Sequence, residues 1–394
     1  MPRRSKSDEL PEAGTGPSAR PQEQLLIDTI GELSAGEVIC NSSGRAQFAV
    51  AYAQAYPEAR VQCAFFDLYQ RERAEQMHEG QIPPNLTLLV EPDLPDVEAD
   101  LVVIVCRKTG ESEFTRDLLQ QAHNRLKIGG RLVASIDFAD DRWLHEELRK
   151  VYPKVTRRSY KKQGAVYLAT KTEPLKKQKT YDAEFAFRDE GRLIFAMSRP
   201  GVFSHRRLDV GARALLEWAK IQPGQHVLDL GCGSGAVGIA AALRAENVIV
   251  QAVDSNPRAV QCTQWGAERN GVADRVTAVL NADGQVIAKD WFDVVLANPP
   301  YFSNYRIAQL FLASSYRCLK RHGWVHIVTK TPVWFEEIMP EVFEEIEANE
   351  VRDYWIVSGR KPNFHLPKPV YQDESDEFED GDFGDEDDFD EENF

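Results

Sequence analysis

The segment VLDLGCGSGAVG, Val227–Gly238, constrains the fold of this chain more than any other. An apolar run typical of a strand ends at Leu230. Three glycines then alternate with other residues, Gly231, Gly233 and Gly235, and a helical pattern follows at once. Glycines allow a tight turn and let a ligand approach the backbone with no Cβ atoms in the way. Because open α/β sheets bind ligands at the carboxyl ends of their strands, the segment predicts such a sheet with a ligand at this loop.

The rest of the chain alternates strand and helix patterns in two stretches. In residues 25–172 the strand patterns are Glu37–Cys40, Val61–Phe66, Leu86–Val90, Leu101–Cys106 and Arg131–Ile136. In residues 191–368 they are His226–Leu230, Val248–Val253, Val276–Leu280, Val294–Ala297 and Trp324–Val328. This alternation predicts two mainly parallel sheets, each covered by helices on both faces.

The two stretches resemble each other near their ends. LKIGGRLVASI (Leu126–Ile136) and LKRHGWVHIVT (Leu319–Thr329) each have a Leu–Lys pair, a glycine turn and a strand pattern. We interpret them as copies of one architecture, in which a helix stops at the glycine and the chain re-enters the sheet.

Composition predicts the segments outside the two domains. Residues 1–24 are rich in Pro, Ser and Gly without an apolar signal core, which predicts a disordered arm. We expect domains at 25–172 and 191–368, a linker at 173–190 and a disordered acidic tail at 369–394. No apolar run approaches the ~20 residues of a membrane helix.

The net charge of −15 does not exclude a nucleic-acid partner, because residues 371–394 hold 14 acidic and no basic residues. The remaining chain is nearly neutral. Within it, residues 149–179 hold 11 basic residues and one acidic residue. We expect Arg157, Arg158, Lys161 and Lys162 of this segment to contact RNA phosphates, the alternative being a solvated hairpin and linker.

The six cysteines are scattered, with no Cys-x-x-Cys pair. This spacing favours a reduced, cytoplasmic protein over a disulfide framework or a zinc site. We therefore expect no bound metal. Because no apolar run is long enough for a membrane helix, we also expect no membrane association, and we expect a monomer.

Acidic residues at strand ends indicate which ligand the glycine loop takes. Asp229 lies two residues before the first glycine, where a carboxylate can meet a cationic amino group. Asp254, followed by Ser255, ends the next strand and would meet a ribose diol, and Asp283 after the third strand would suit an adenine amino group. S-adenosylmethionine has all three groups. The glycine spacing alone also fits a nicotinamide dinucleotide, and the carboxylates could simply cap loops.

The fourth strand of the second stretch leads into Asn298-Pro299-Pro300-Tyr301. Two prolines lack N–H donors and cannot extend a central strand, so the chain must form a rigid loop at the ligand edge. The Asn298 side-chain oxygen and the Pro299 carbonyl can each accept an N–H from an exocyclic amine. Two acceptors favour a pyramidal, nucleophilic nitrogen in the transition state. Tyr301 can stack on the planar group that carries the amine.

On these residues, and on PGVFSHRRLDVGARALL (Pro200–Leu216), the second stretch resembles class I S-adenosylmethionine-dependent methyltransferases. It is most similar to the bacterial ribosomal RNA guanine-N2 methyltransferases, of the type known as methyltransferase C for the small ribosomal particle and methyltransferase G for the large one. The resemblance implies an α/β fold of two tandem Rossmann-like domains, the first degenerate and the second catalytic. It also implies that Phe203 and Ser204 border the cofactor and that Asp209 helps to order the pocket.

The first stretch supports this interpretation. CNSSGR (Cys40–Arg45) stands where the glycine loop would be, and CRKTG (Cys106–Gly110) where the Asn-Pro-Pro-Tyr loop would be. Neither segment has the groups that the chemistry requires, so we expect this domain to be inactive and to contact RNA or support folding.

Several alternatives stay open. The family commonly has Phe where this chain has Tyr301, and Tyr is also found in adenine-N6 and glutamine-N5 methyltransferases. The substrate could therefore be adenine N6 in RNA or DNA, or a protein glutamine, although the basic segment favours nucleic acid. A non-catalytic RNA-binding ribosome assembly factor is the alternative that involves no enzyme.

Overall fold

The computed structural model describes residues 18–42, 44–160, 163–284, 287–299 and 306–363. These residues form two seven-stranded sheets and one two-stranded hairpin. The N-terminal domain contains the first sheet, and the hairpin leads into the second domain.

The N-terminal sheet has the order β3-β2-β1-β4-β5-β7-β6, with parallel pairs from β3 to β5 and antiparallel pairs beyond. Its strands are β1 (Glu37–Asn41), β2 (Arg60–Phe65), β3 (Leu86–Val90), β4 (Ala99–Cys106), β5 (Leu126–Ile136), β6 (Val155–Tyr160) and β7 (Gly164–Thr170). Its helices are α1 (Pro21–Ile27), α2 (Gln47–Ala55), α3 (Leu68–Met77), α4 (Ser112–Arg125) and α5 (Trp143–Val151), with a 3-10 turn at Ile30–Glu32. Nearly all of β4 is buried, as expected for a strand covered on both faces.

The second domain repeats this order as β12-β11-β10-β13-β14-β16-β15. After the hairpin of β8 (Ala183–Asp189) and β9 (Arg192–Ser198), its strands are β10 (His226–Leu230), β11 (Ile249–Asp254), β12 (Val276–Leu280), β13 (Phe292–Ala297), β14 (Leu319–Thr329), β15 (Glu344–Val351) and β16 (Tyr354–Arg360). Its helices are α6 (Val210–Trp218), α7 (Ala236–Arg244), α8 (Pro257–Arg269), α9 (Arg306–Cys318) and α10 (Pro332–Ile338), with a 3-10 turn at Met339–Glu341.

The predicted α/β class and the shared architecture are confirmed, and the repetition extends to single contacts. Lys171 follows β7 and its Nζ donates to the Leu126 carbonyl at 2.6 Å. Lys361 follows β16 and its Nζ donates to the Leu319 carbonyl at 2.8 Å. Each lysine therefore holds the first residue of the corresponding strand, β5 or β14, in its own sheet.

The prediction that a glycine ends the preceding helix was wrong. Helix α4 ends at Arg125, and Leu126 already belongs to β5. Gly130 lies inside that strand, where a Cβ would stand 2.9 Å from the Lys127 carbonyl oxygen. Gly323 has the same role in β14, where a Cβ would stand 3.0 Å from the Asp293 carbonyl oxygen. Both glycines therefore allow close backbone approach at an irregularity in the strand pairing.

Two predicted segments overlap regular structure. Helix α1 begins at Pro21, inside the predicted arm 1–24, because Leu25 and Leu26 are buried in the core and fix the helix there. Strand β8 lies inside the predicted linker 173–190. Residues 1–17 and the predicted tail lie outside the described residues. Within the described part of the chain, no helix combines the length and apolar character needed to cross a membrane.

The two domains meet around Arg258, whose side chain is fully buried. Its guanidinium lies 2.6 Å from an Asp117 carboxylate oxygen and packs against the rings of Phe66 and Phe114, all of the first domain. It also donates to the Pro200 carbonyl at 2.8 Å. Arg258 stands in the first turn of α8, so this contact fixes the start of a helix that borders the predicted site.

Candidate active site

The glycine loop joins β10 to α7 with backbone angles that other residues rarely adopt. Gly231, Gly233 and Gly235 have φ values of 74°, 53° and 73°. At Gly235 a Cβ would lie 2.5 Å from the Thr263 hydroxyl, whereas at Gly233 it would meet no atom within 4 Å. Gly235 is therefore required by packing and conformation. Gly233 leaves open space on the side where a ligand is expected.

Asp229 lies on β10 directly under this loop and is buried. Its Oδ2 accepts the N–H of Gly238 at 2.8 Å, so it caps the start of α7. Burial raises the pKa of Asp229 to about 7, and the negative charge of Asp254 adds to the increase. The loop-capping alternative is thus observed. The protonation state of this carboxyl group changes near neutral pH.

Asp254 ends β11 and faces the same loop from the neighbouring strand. Its Oδ2 accepts the N–H of Gly233 at 2.8 Å, and its Oδ1 accepts the N–H of Asn256 at 2.9 Å. Burial raises the pKa of Asp254 to about 6 despite these bonds. Two carboxyl groups with raised pKa values therefore flank one glycine loop, an arrangement typical of functional sites.

The predicted ribose and adenine end borders the first domain. The Ser255 hydroxyl donates to Oδ2 of Asp67 at 2.9 Å, and the Ser255 carbonyl accepts the N–H of Leu68 at 2.8 Å. Burial raises the pKa of Glu72 on α3, and the negative charge of the nearby Asp283 adds to the increase. The first domain therefore forms one wall beside the cofactor residues predicted for the second.

The segment with Phe203 and Ser204 lies against the Asp254 loop. Asn256 donates from Nδ2 to the Gly201 carbonyl at 2.6 Å. Ser204 has a φ of 54° and its hydroxyl donates to the Arg207 carbonyl at 3.2 Å. Phe203 is 40% exposed, so its ring is available to a ligand. These contacts bring the segment to the glycine-loop edge of the sheet.

Asn298 follows β13 at the same edge, one residue beyond the pair of Ala297 with Leu230. Its Nδ2 donates to Oδ2 of Asp209 at 2.9 Å. Asp209 is the N-cap of α6, where the same oxygen accepts the N–H of Ala212 at 2.9 Å. The amide nitrogen is thus held by a carboxylate that is itself fixed to a helix, which orients the amide. Pro299 is buried. The predicted Pro300 and Tyr301 lie outside the described residues.

Two of the predicted RNA contacts, Arg157 and Arg158, lie on β6, an edge strand of the first sheet. Arg157 is exposed and donates to the Ala139 carbonyl at 2.5 Å. Arg158 pairs with Glu32 at 2.8 Å, which occupies part of its charge. Lys161 and Lys162 lie outside the described residues.

The first domain lacks the polar groups of the second at matching positions. The paired registers of β1 with β2 and β4, and of β10 with β11 and β13, align the two sheets residue by residue. In the first domain apolar residues stand at the aligned positions: Cys40 for Asp229, Phe65 for Asp254 and Val105 for Asn298. The strand ends of this domain therefore cannot form the same polar site.

A carboxylate from α1 fills the loop of the first domain. Glu23 is buried, and its two oxygens accept the Ser42 hydroxyl at 2.6 Å and the N–H of Phe48 at 3.0 Å. Ala46 there has a φ of 53°, like Gly235 at the aligned N-cap. Both N-caps therefore have left-handed backbone angles, and in the first domain a carboxylate of the chain itself bonds beside this position.

Sequence reasoning did not find Asp67, Glu23 or Arg258. Asp67 has a local signal, since it is the N-cap of α3 and accepts the N–H of Gln70. The other two act across long sequence separations and carry no local pattern. Among the described residues, no group of three or more His, Cys, Asp or Glu side chains is placed to hold a metal, and all six cysteines are buried and free.

Comparisons with known proteins identify similar sequences and structures. Residues 194–358 match the family model described as methyltransferase small domain. The ribosomal RNA small subunit methyltransferase C of Vibrio parahaemolyticus is 31% identical over 169 residues, 42% of this chain and 48% of the relative. An uncharacterized protein of Bacillus subtilis is 28% identical over 185 residues and is covered to 90%. The chain spans about half the length of the methyltransferase C relatives it matches.

A solved structure matches both domains. It is a T. thermophilus 16S rRNA N2 methyltransferase in complex with AdoMet and guanosine, with a TM-score of 0.72 and 21% identity over 86% of this chain and 92% of the other. The predicted fold of two tandem methyltransferase-like domains is therefore confirmed. The chain has this two-domain fold, and its residues 194–358 match the methyltransferase small domain family.

Proposed function

We propose that the protein transfers a methyl group from S-adenosylmethionine to an exocyclic amine, namely guanine N2 of ribosomal RNA. The contact of Asn298 with Asp209 carries this proposal. An amide whose nitrogen is held by a carboxylate presents its oxygen as the acceptor, which is the group that an incoming amine needs.

The chain's residues act on the amine nitrogen. Its lone pair is delocalised into the base, so the nitrogen is a poor nucleophile. Oδ1 of Asn298 would accept one N–H and the Pro299 carbonyl the other, which favours the pyramidal nitrogen of the transition state. Asp209 positions Asn298 and does not touch the substrate. Pro300 and Tyr301 remain proposals from sequence, as a rigid turn and a stacking platform.

The residues at the glycine loop fit S-adenosylmethionine, which supplies an electrophilic methyl group on a sulfonium when bound. We assign Asp229 to the amino group, Asp254 and Ser255 to the ribose and Asp283 to the adenine. Gly231, Gly233 and Gly235 would let the ligand approach the backbone, with Phe203 and Ser204 on its border. Alignment of the methyl with the amine by these contacts would supply much of the rate, because proximity lowers the barrier.

Guanine N2 is favoured because the methyltransferase C relatives are named for ribosomal RNA and the matched structure is an N2 methyltransferase with guanosine. Adenine N6 remains the nearest alternative, since an Asn-Pro-Pro-Tyr loop serves either amine. Ribosomal RNA is the partner we propose, with contacts from Arg157, Arg158, Lys161 and Lys162, and it implies action in the cytoplasm. We also propose the predicted division into an inactive first domain and a catalytic second domain.

Asn298→Ala tests the proposal. Calorimetry should show S-adenosylmethionine binding in both the wild-type protein and the variant. Transfer of labelled methyl to ribosomal RNA should fall by at least about a hundredfold in the variant, the size of effect seen when one preorganised polar contact is removed. Binding of a nicotinamide dinucleotide in place of S-adenosylmethionine would overturn the proposal, as would full transfer by the variant.

A further inference from the structure

The edge of the first sheet that aligns with the active-site edge of the second carries a separate set of side chains. Strand β4 ends at Cys106 beside the end of β5 at Ile136. The same register aligns Val105 with Asn298, so Lys108 lies in the loop that follows the aligned strand end. The first domain therefore places a cation in the loop that corresponds to the proposed substrate loop of the second domain.

An aromatic ring lies beside that cation. Phe138, in the loop after β5, is 37% exposed, and the Lys108 Nζ lies 4.7 Å from the centre of its ring. The Lys108 N–H donates to Asp137 at 2.6 Å, which fixes the backbone of one loop against the other. A large apolar ring at the surface with an ammonium over one face is a partial platform for a planar group.

A third group reaches the same loop from β6. Arg157 donates to the carbonyl of Ala139, the residue after Phe138, and the Ser159 hydroxyl donates to that oxygen at 2.8 Å. Residues 149–160, which run up to and along β6, hold five basic residues and no acidic one. Two cations from different elements therefore lie at this loop, Lys108 over the ring and Arg157 at the Ala139 carbonyl. The loop also carries Asp137, which accepts a backbone N–H, and the exposed Asp140.

This surface adjoins the proposed catalytic pocket. Glu111 directly follows the loop of Lys108, and its Oε2 accepts the N–H of Gly201 at 2.6 Å. Gly201 belongs to the segment that carries Phe203 and Ser204. A chain bound over Phe138 would therefore pass beside the wall of the pocket.

We propose that Lys108, Phe138 and Arg157 form a docking site for single-stranded RNA, in which a nucleobase stacks on Phe138 and phosphates pair with the two cations. Every base has a π face, so stacking tolerates any sequence, and the cations match the charge of the backbone. The inference rests on the proposed function, because it supplies the RNA that the second domain would methylate.

Fluorescence anisotropy with a labelled single-stranded RNA containing all four bases, titrated with the full-length protein over a range of salt, tests the site. Phe138→Ala should weaken binding by about tenfold, the expected effect of losing one stacked base. Lys108→Ala should reduce the slope of log affinity against log salt concentration by about one, as expected for the loss of one phosphate contact. Phe138→Leu keeps an apolar side chain but loses the ring, and should bind as weakly as Phe138→Ala.

Matched controls lie at the opposite ends of the strands. Trp291 precedes β13 and is 48% exposed, and Arg60 begins β2 and is exposed. Trp291→Ala and Arg60→Ala should bind RNA like the wild-type protein, and all variants should bind S-adenosylmethionine equally well. Wild-type RNA affinity in both Phe138→Ala and Lys108→Ala would overturn the docking site.

The docking site and the proposed function fail in different ways. If Phe138→Ala and Lys108→Ala bind RNA normally while the wild-type protein methylates it, the docking site is wrong and the function stands. If the wild-type protein binds RNA through these residues but transfers no methyl group, the function is wrong and the docking site stands.

Discussion

At the scale of single residues, the candidate site contains two carboxyl groups at the glycine loop, Asp229 and Asp254. Burial raises the pKa values of both, to about 7 and about 6. Each also accepts backbone N–H bonds from the loop or the helix that follows it. They therefore have a structural role and are poised to become ionised when a cationic ligand arrives.

Binding of S-adenosylmethionine should depend on pH through Asp229. Below about pH 7 the carboxyl is protonated in the free protein, so binding of the ligand's ammonium must release a proton. The dissociation constant should rise by up to about tenfold for each pH unit below 7. Calorimetry between about pH 5 and 8 measures this slope. A constant affinity across that range would contradict the assignment of Asp229.

Asp229→Asn should separate stability from binding. A carboxyl with a raised folded pKa stabilises the fold below its unfolded pKa, and this contribution is lost as pH rises through about 7. The Asn variant does not ionise and can still accept the Gly238 N–H. It should therefore melt at a higher temperature than the wild type at pH about 8, yet bind S-adenosylmethionine at least about tenfold more weakly. A lower melting temperature at that pH would contradict this explanation.

Asp209 should affect turnover and leave cofactor affinity unchanged. Asp209→Ser keeps an N-cap hydroxyl for α6 but removes the carboxylate that holds the Asn298 amide. We expect kcat for methyl transfer to fall by up to about a hundredfold, because small misplacements of a positioned group cost that much. The dissociation constant for S-adenosylmethionine and the melting temperature should hardly change. Equal kcat values would show that Asn298 needs no such support.

At the scale of elements, apolar runs in the sequence predicted ten strands, and all ten are observed. Their core positions are specified by local periodicity, which a single sequence reveals. The β8–β9 hairpin and the antiparallel strands β6, β7, β15 and β16 were not predicted. Strands β6 and β15 are partly exposed and carry charged residues, so no apolar run indicates them. Strands β7 and β16 contain buried apolar residues, which a local pattern could have revealed.

The candidate site was predictable to the same extent. Asp229, Asp254 and Asn298 lie at or near the carboxyl ends of parallel strands, so the topology brings them to one edge. The contact of Asn298 with Asp209 was not predictable, because 89 residues separate the two. The same holds for Ser255 and Asp67, which belong to different domains.

Helix α1 should stabilise the first domain through Glu23. Glu23→Ala leaves the Ser42 hydroxyl and the Phe48 N–H without their acceptor, which should lower the free energy of unfolding by about 1–3 kcal/mol. Glu58→Ala, at an exposed position, is the matched control and should change it by less than about 0.5 kcal/mol. Urea denaturation followed by circular dichroism compares them. Equal losses in both variants would contradict the role of Glu23.

At the scale of the whole molecule, the two domains are in contact, and the first forms a wall beside the proposed cofactor residues of the second. Asp67 and Glu111 of the first domain hold Ser255 and Gly201 of the second. The net charge of the protein is also distributed unevenly along the whole chain. The acidic tail accounts for most of the −15, and a basic segment lies at the end of the first domain.

Arg258 should be the largest single contributor to the domain contact. Arg258→Met leaves Asp117 without its buried partner, and breaking a buried ion pair from one side costs about 3–5 kcal/mol. We expect a lower melting temperature and weaker S-adenosylmethionine binding, since the start of α8 is released. Arg60→Met, which removes an exposed arginine 3.9 Å from Glu37, should change stability by less than about 1 kcal/mol. Equal melting temperatures in the two variants would contradict this role.

Nucleoside analysis of ribosomal RNA from cells with and without the gene tests the central claim most directly. Mass spectrometry of the RNA from each ribosomal particle should show the loss of one N2-methylguanosine when the gene is absent. The wild-type gene should restore it and Asn298→Ala should not. Unchanged ribosomal nucleosides, or the loss of N6-methyladenosine instead, would contradict the account.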